Sequence, residues 1–248
     1  MIELKTESQL ELMRASGRLA GDVLTQVAAA VAPGITTREL DALAQRLITD
    51  AGAECSFLGY RGYPAALCVS INEEVIHGIP GDRQVLPGDI VSLDVGVCYK
   101  GYHGDTATTV AVAVSDPELL HLLDVTRRAR DAGIAAVRPG ARLGDVSHAV
   151  ERVVLKAGFA VVRDFVGHGI GQALHEDPQV PNYGKPGRGP VLKPGMTFCI
   201  EPMVAFKSAA VSVLRDGWTV VTNDSSPSAH FEHTIAVCAD GAEILTAV

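Results

Sequence analysis

The sequence lacks long apolar runs and has no excess of basic side chains. Every apolar run is shorter than the roughly 18 residues that a membrane-spanning helix needs, so we expect no membrane anchor. The amino-terminal "MIELKTESQLELM" carries acidic residues and no apolar core, which argues against a secretory signal peptide and favours the cytoplasm. Its 21 Lys and Arg against 29 Asp and Glu give a net charge of −8, which disfavours broad binding to nucleic acids or anionic membranes.

Closely spaced cysteines are also lacking. The five cysteines are an odd number, are widely scattered and include no CxxC pair. This pattern suits a reduced cytoplasmic protein and argues against a disulfide framework or a thiolate zinc site. The hydrophobic content of 47% is sufficient for a sizeable core.

The apolar periodicity predicts helices and strands in alternating blocks. Thr6 precedes apolar residues at helical spacing up to Val31, and a capping box of Thr36 and Glu39 opens a second helix. Strands are expected within 66–114, followed by helices at 117–137 and 143–157. Further strands are expected at 160–166, 196–206, 217–222 and 229–238.

The two blocks are copies of one pattern. "VAPGITTRELDALAQRLITDAGA" (31–53) aligns with "VRPGARLGDVSHAVERVVLKAGF" (137–159), and "PGDIVSLD" (87–94) aligns with "PGMTFCIE" (194–201). The segment "NYGKPGRGP" (182–190) resembles a surface loop within the second copy and not a linker. We therefore predict one domain over 1–248, built of two similar α/β halves (about 6–114 and 117–240) around an approximate two-fold.

The repeat places acidic residues at matched positions in apolar strands. Asp94 aligns with Glu201, and the alternation in "IVSLDVGVC" puts Asp94 on one face with Ser92 and Gly96. Asp105 and Glu232 follow on later strands of their halves. A single strand acid is ordinarily an exposed residue, but four brought together across the two-fold would repel each other.

Two arrangements make such a cluster tolerable: protonation, which demands large pKa shifts, or bound cations. Two divalent ions balance four carboxylates, and one neutral imidazole would complete the ligand set, with His77 and His168 supplied by the two halves. Mostly oxygen ligands with one nitrogen suit Mn, Fe, Co or Zn. The glycines around His168 are expected to allow close backbone approach and positive φ. Their GxGxG spacing does not match the GxGxxG of a dinucleotide site.

Five blocks resemble the signature segments of type I methionine aminopeptidases, in order and over nearly the whole chain: "INEEVIHGIP", "SLDVGVCYKGYHGDTATT", "GHGIGQALHEDPQVPNYG", "GMTFCIEPMV" and "DGWTVVTNDSSPSAHFEHTI". The resemblance implies the pita-bread (creatinase/aminopeptidase) fold, with pseudo-two-fold halves around a curved, mostly antiparallel sheet. It implies a dinuclear metallo-exopeptidase that removes the initiator methionine from nascent proteins and prefers a small second residue. We expect neither a zinc-finger extension nor a type II insertion.

By matched position, the resemblance implies five ligands for two ions of Co, Mn, Fe or Zn: Asp94, Asp105, His168, Glu201 and Glu232. Asp105 and Glu232 would be shared between the ions, and Glu201 would also act as proton shuttle. His77 and His175 are implied to contact substrate and stabilise the tetrahedral intermediate. The implied methionine pocket consists of Phe57, Tyr60, Tyr63, Cys68, Leu174 and Trp218. Arg61, in "GYRGYP", departs from the histidine common in bacterial relatives.

Partners follow from the same resemblance: nascent chains with amino-terminal methionine and a transient contact with the ribosome, in a cytoplasmic monomer. A related pita-bread prolidase or Xaa-Pro aminopeptidase is the main alternative, although such relatives carry a further amino-terminal domain. A non-catalytic pita-bread binding module is disfavoured because all five ligand positions are filled. A cysteine hydrolase using Cys199 of "FCIE" is a third alternative, but no partner base is evident.

Overall fold

The computed structural model describes residues 1–247 of the chain, which contain two helical pairs. The helices are α1 (Glu7–Ala30), α2 (Thr37–Asp50), α3 (Pro117–Ala136) and α4 (Leu143–Lys156). The hydroxyls of Thr6 and Thr36 cap α1 and α2 in capping boxes, which confirms both predicted helix starts. Asp116 caps α3 by accepting a hydrogen bond from the Glu118 amide.

Short strands make up most of the remaining regular structure. In chain order they are β1 (Glu54–Cys55), β2 (Leu67–Ile71), β3 (Glu74–Ile76), β4 (Ile90–Tyr99), β5 (Tyr102–Ala111), β6 (Ala160–Val161), β7 (Gly167–Gly169), β8 (Glu176–Val180), β9 (Thr197–Ile200), β10 (Met203–Ala205), β11 (Val211–Val213), β12 (Val220–Thr222), β13 (Ser228–His230), β14 (Glu232–Val237) and β15 (Ala242–Ile244). A single 3₁₀ turn, Tyr60–Gly62, lies between β1 and β2 within the described residues.

The main sheet has nine strands in the order β1-β4-β5-β14-β9-β7-β8, with β2 on β4 and β15 on β14. All of its strand pairs are antiparallel. The order is symmetrical about the β5–β14 pair, because β4 lies outside β5 and β9 lies outside β14. This curved antiparallel sheet with flanking helices confirms the predicted mixed α/β class.

Each helical pair covers one half of the sheet. Helices α1 and α2 pack against β2 and β4 through a core that includes Leu40, Leu93 and Val95. Helices α3 and α4 pack on the other half through a core that includes Val150 and Phe198. Burial of each such side chain stabilises the fold by about 1.5–3 kcal/mol. Because strand side chains alternate, burying Leu93 and Val95 under helices turns Asp94 to the opposite face.

Several predicted strands differ from those observed. The segment 196–206 divides into β9 and β10 at Glu201 and Pro202, where Pro202 has no amide hydrogen to continue a ladder. The segment 160–166 contributes only the two residues of β6. Strand β8 was missed because its polar residues and Pro178 hide the alternation. All five cysteines are free, and among residues 1–247 no helix combines the length and apolar character that crossing a membrane requires.

Candidate metal centre and adjoining cavity

Strand register brings the four predicted acids to one face of the sheet. In the β4–β5 hairpin Asp94 lies opposite Ala107, and Gly96 lies opposite Asp105. Glu232 of β14 lies on the other side of Ala107. Directly opposed residues of antiparallel strands share a face, so Asp94, Asp105 and Glu232 point to the same side. Glu201 directly follows β9, whose Ile200 pairs with the neighbour of Glu232, and therefore continues this register.

Hydroxyl groups fasten β5 to β14 at this point. Thr234 Oγ1 accepts a hydrogen bond from the Asp105 amide at 3.0 Å and donates to the Asp105 carbonyl at 2.8 Å. Thr106 Oγ1 donates to the Glu232 carbonyl at 2.9 Å. Buried hydrogen bonds of this kind fix the backbone of β5 relative to that of β14. The distance between Asp105 and Glu232 is therefore set by the backbone as well as by side-chain conformation.

His168, from the short strand β7, completes the cluster. Its Nε2 lies 3.5 Å from Glu201 Oε1 and 3.8 Å from Asp105 Oδ2. Its Nδ1 lies 2.9 Å from the Gly169 carbonyl, an acceptor, which assigns the ring proton to Nδ1. Burial, and secondarily His175, lower the pKa of His168 to about 3, so the imidazole is neutral and presents an Nε2 lone pair to the acids.

The glycines around His168 serve close packing. A Cβ on Gly167 would overlap the Cys199 carbonyl oxygen, and one on Gly169 would overlap the Asp177 carbonyl oxygen. The expected close approach is therefore present. The expected positive φ is wrong, because Gly167, Gly169 and Gly171 all have ordinary backbone angles. Sheet pairing on both sides of β7, and not a left-handed turn, demands glycine here.

Each of the four carboxylates has one buried oxygen without a hydrogen-bond partner in residues 1–247. These oxygens are Asp94 Oδ1, Asp105 Oδ1, Glu201 Oε1 and Glu232 Oε1. Burial raises the pKa of Asp94 to about 7, although part of that side chain still reaches the cavity. Burial raises the pKa of Asp105, Glu201 and Glu232 as well, and the charges of neighbouring acids raise it further. Orphaned buried oxygens of this kind fit divalent cations, since a cation removes both the repulsion and the missing contacts.

Cys199 is a further neighbour of the cluster. Ligand atoms of Asp105, His168, Cys199 and Glu232 all lie within 4.8 Å of one another, a spacing that could hold a metal ion. Asp94 and Glu201 line the adjoining cavity, whereas Cys199 does not, so the thiol lies behind the carboxylates. Burial raises the pKa of Cys199 well above its ordinary value, as do the nearby acids. A buried neutral thiol is unsuited to the role of an exposed nucleophile, which removes the support for a cysteine hydrolase.

A cavity of about 180 Å³ opens from the acids toward the surface. Every residue of the predicted methionine pocket lines it, together with both predicted substrate histidines: Phe57, Tyr60, Tyr63, Cys68, Leu174, Trp218, His77 and His175. Asp105 and Glu232 are 3% and 2% exposed and form its deep end, while Arg61 is exposed at the rim.

Aromatic contacts hold the wall of the cavity. Tyr63 meets Trp218 edge to face at a centroid distance of 5.1 Å, and its hydroxyl donates to the Leu67 and Gly78 carbonyls. His77 is edge to face with Trp218 at 6.2 Å. Burial lowers the pKa of His77 to about 4, with a smaller contribution from His175. The wall is thus held by aromatic contacts and carries an uncharged imidazole.

His175 lies between the rim and the metal-ligand candidates. Its ring stacks on Tyr60 with centroids 5.2 Å apart and planes 16° apart, and its centroid lies 4.0 Å from that of His168. Partial burial, followed by the Arg61 charge, lowers the pKa of His175. The imidazole is therefore neutral at pH 7 even though its edge reaches solvent.

Sequence reasoning missed three lining residues: Ile76, Phe165 and Val166. Phe165 contacts the His77 ring edge to face at 5.8 Å. The only feature of the sequence that could have identified Phe165 is its position three residues before His168 in "FVGH". Ile76 likewise directly precedes His77.

Comparisons with known proteins agree with this geometry. Residues 11–239 match metallopeptidase family M24. A methionine aminopeptidase of Clostridium perfringens is 49% identical over 248 residues, covering 100% of both chains. The crystal structure of methionine aminopeptidase from Thermotoga maritima superposes with a TM-score of 0.98 at 47% identity and covers 100% of both chains.

A prolidase from Pyrococcus horikoshii shares the fold more distantly. Its TM-score is 0.80 at 20% identity, and the alignment covers 99% of this chain but 63% of the prolidase. The fold is therefore the predicted pita-bread fold, and the prolidase alternative is disfavoured. Together with the acid and histidine cluster, these matches show that the chain belongs to metallopeptidase family M24 and, within it, to the methionine aminopeptidases.

Proposed function

We propose that the chain hydrolyses the peptide bond after an amino-terminal methionine and prefers a small second residue. The observation that carries this proposal is the set of buried, unpartnered carboxylate oxygens beside a neutral imidazole, open to an apolar cavity. Relatives named methionine aminopeptidase, identical at nearly half of all positions over the whole length, support it.

Two divalent ions would be held by five of these residues: Asp94, Asp105, His168, Glu201 and Glu232. Four carboxylates offset the charge of two such ions, and the Nε2 lone pair of His168 supplies a nitrogen ligand. This donor set suits Mn, Fe, Co or Zn. When bound, the ions supply a Lewis acid for the peptide carbonyl and a water of lowered pKa.

The remaining chemistry belongs to side chains at the cavity wall. Glu201, whose pKa is raised by burial and then by Asp105 and Asp94, can hold a proton during cleavage and return it to the leaving amine. His175, stacked on Tyr60, can donate its N–H to the developing oxyanion. His77 has a positive φ of 59° and is buttressed by Phe165 and Trp218, which suits it to orient the amide of the second residue.

The closed acidic end of the cavity explains why cleavage would be restricted to the amino-terminal residue of a substrate. Asp105 and Glu232 are almost inaccessible there, so a chain cannot pass through. A free α-amino group fits among carboxylates, whereas an internal amide has no such charge-compatible group. The apolar lining near Cys68 and Trp218 favours an unbranched thioether, which adapts to irregular apolar space.

The surroundings of the reaction are further parts of the proposal. The substrate would be a nascent chain, met through transient contact with the ribosome in the cytoplasm. The catalytic unit would be a monomer with one pita-bread domain over 1–248 and an internal repeat of about 6–114 and 117–240. The symmetrical strand order and the two separate cores support the repeat.

A peptide panel tests the function. Metal-replete protein should release methionine from Met-Ala-Ser and should leave Ala-Pro-Ser intact, and Asp105→Ala should remove the activity. Cleavage of the Ala-Pro peptide in preference to Met-Ala-Ser would instead indicate the Xaa-Pro alternative. Equal turnover by Asp105→Ala and the parent protein would refute the proposed centre.

A further inference from the structure

Arg61 stands at the rim of the cavity on a tightly bonded turn. The φ angles of Gly59, Arg61 and Gly62 are all positive, at 82°, 50° and 89°. The Gly59 amide donates to the Tyr63 carbonyl at 2.8 Å, and the Tyr63 amide donates to the Tyr60 carbonyl at 2.9 Å. A non-glycine residue in the left-handed region is held there by its surroundings. The turn therefore fixes the position and direction of the Cα–Cβ bond of Arg61.

The charge of Arg61 has no internal partner. It is the only cationic side chain among the residues that line the cavity, and it is exposed. No ion pair within residues 1–247 includes it, whereas Arg38 and Arg83 each have a carboxylate partner. Its guanidinium carbon lies 5.4 Å from the centroid of the Tyr60 ring, a cation–π contact that positions the charge without neutralising it.

Three side chains lead from the rim toward the acids. Arg61 lies on Tyr60, and Tyr60 stacks on His175 with centroids 5.2 Å apart. An extended peptide advances roughly 3.3 Å per residue, so these two contacts span at most about three residues of substrate. If the scissile carbonyl lies at His175, the guanidinium is within reach of the third or fourth substrate residue.

We propose that Arg61 makes this enzyme select substrates with an acidic side chain at the third or fourth position. The inference rests on the proposed function, because it assumes that the first residue occupies the apolar cavity and the rest of the chain leaves across the rim. Carboxylate is the group that an unpaired guanidinium binds best, through two parallel hydrogen bonds. Since the pair forms in contact with solvent, the gain is modest, about twofold to fivefold in kcat/KM at low salt.

The test compares peptides that differ only in charge. Met-Ala-Asp-Gly and Met-Ala-Gly-Asp, with amidated carboxyl ends, are each measured against the peptide with Asn in place of Asp. The metal-loaded parent is compared with Arg61→Gln, with Arg61→Lys and with Arg46→Gln, which removes an exposed charge on α2 outside the cavity. Thermal melting of each variant checks the fold.

The expected ratio of kcat/KM for Asp over Asn is about two to five in the parent and in Arg46→Gln at one or both positions. It should be intermediate in Arg61→Lys and close to one in Arg61→Gln, and about 1 M salt, where the Debye length is about 3 Å, should abolish it. A ratio of one in the parent, or a ratio in Arg61→Gln equal to that of the parent, overturns the inference. Cleavage of the Asn peptides would in that case still support the proposed function. Failure to cleave any of these peptides would count against the function itself.

Discussion

His168 Nε2 and Glu201 Oε1 lie 3.5 Å apart, and both atoms are acceptors when the imidazole is neutral and the carboxylate is ionised. The proton of His168 is on Nδ1, directed to the Gly169 carbonyl, and Glu201 Oε1 has no hydrogen-bond partner. Two buried acceptors facing each other are unfavourable unless a cation or a proton lies between them. The facing acceptors therefore indicate a metal site independently of any argument about the reaction.

Loss of the central acid should abolish metal binding along with activity. Asp105→Asn keeps the size of the side chain but removes one charge of the cluster, so we expect a fall in kcat/KM of at least 10³ and weaker binding of Mn²⁺. Calorimetric titration with Mn²⁺ and a methionine-release assay measure both effects. Asp82→Asn, at an exposed pair with Arg38, is the matched control and should change neither. Undiminished Mn²⁺ binding by Asp105→Asn would contradict the ligand role.

Metal-free protein should carry a pH-dependent penalty at Asp94. Burial raises the pKa of this carboxyl from 3.8 to about 7, so between these values the folded state holds a proton that the unfolded chain releases. Its contribution to the free energy of unfolding therefore falls as pH rises from about 4 to about 7. Asp94→Asn lacks this titration. In chelator, its melting temperature minus that of the parent should therefore increase as pH rises from about 5 to 8. A difference between the two proteins that does not vary with pH would show that Asp94 does not titrate as stated.

His175 should affect the chemical step more than metal binding. Removing an oxyanion donor commonly lowers kcat by about 10²–10³, so His175→Ala is expected to lose that much while it keeps the Mn²⁺ affinity of the parent. Tyr60→Leu, which removes the stacking partner, should cause a smaller loss in kcat. Steady-state kinetics and calorimetry separate the two properties. A rise in KM alone, with kcat retained, would reassign His175 to binding.

Close packing at Gly169 should be indispensable to the position of His168. An added Cβ would overlap the Asp177 carbonyl oxygen across the β7–β8 pair, so Gly169→Ala should displace the strand, lower the melting temperature and weaken Mn²⁺ binding. Gly81→Ala is the control, because a Cβ there meets no atom within 4 Å and φ is ordinary. Equal melting temperatures and Mn²⁺ affinities for both variants and the parent would show that β7 tolerates a side chain.

The sequence was sufficient for the helices and for the acids on β4 and β5. Capping boxes at Thr6 and Thr36 mark the helix starts. They can be predicted because their hydrogen bonds join residues only three positions apart in sequence. Alternation in "IVSLDVGVC" identified the face of Asp94, and the internal repeat linked that face to Glu201. Local chemistry and periodicity therefore predict these features well.

Features set by distant contacts could not be predicted in the same way. The glycines beside His168 suggested positive φ, but their real constraint is the neighbouring β8 and β9 backbones. Phe165 and Val166 enter the cavity because β7 pairs in the main sheet, which no short-range pattern in "DFVGHG" reveals. Cys199 precedes Glu201 by two residues but is fully buried and does not line the cavity, so proximity to acids in sequence does not mean exposure to substrate.

Four acids with unpartnered buried oxygens share one face of the sheet, and the proposed centre requires cations among them. A crystal structure of the protein grown with excess Mn²⁺, with anomalous scattering data collected at the manganese edge, tests this requirement most directly. We expect two anomalous peaks enclosed by five residues: Asp94, Asp105, His168, Glu201 and Glu232. An empty cluster in such a crystal, or peaks only on the protein surface, would contradict the proposed centre.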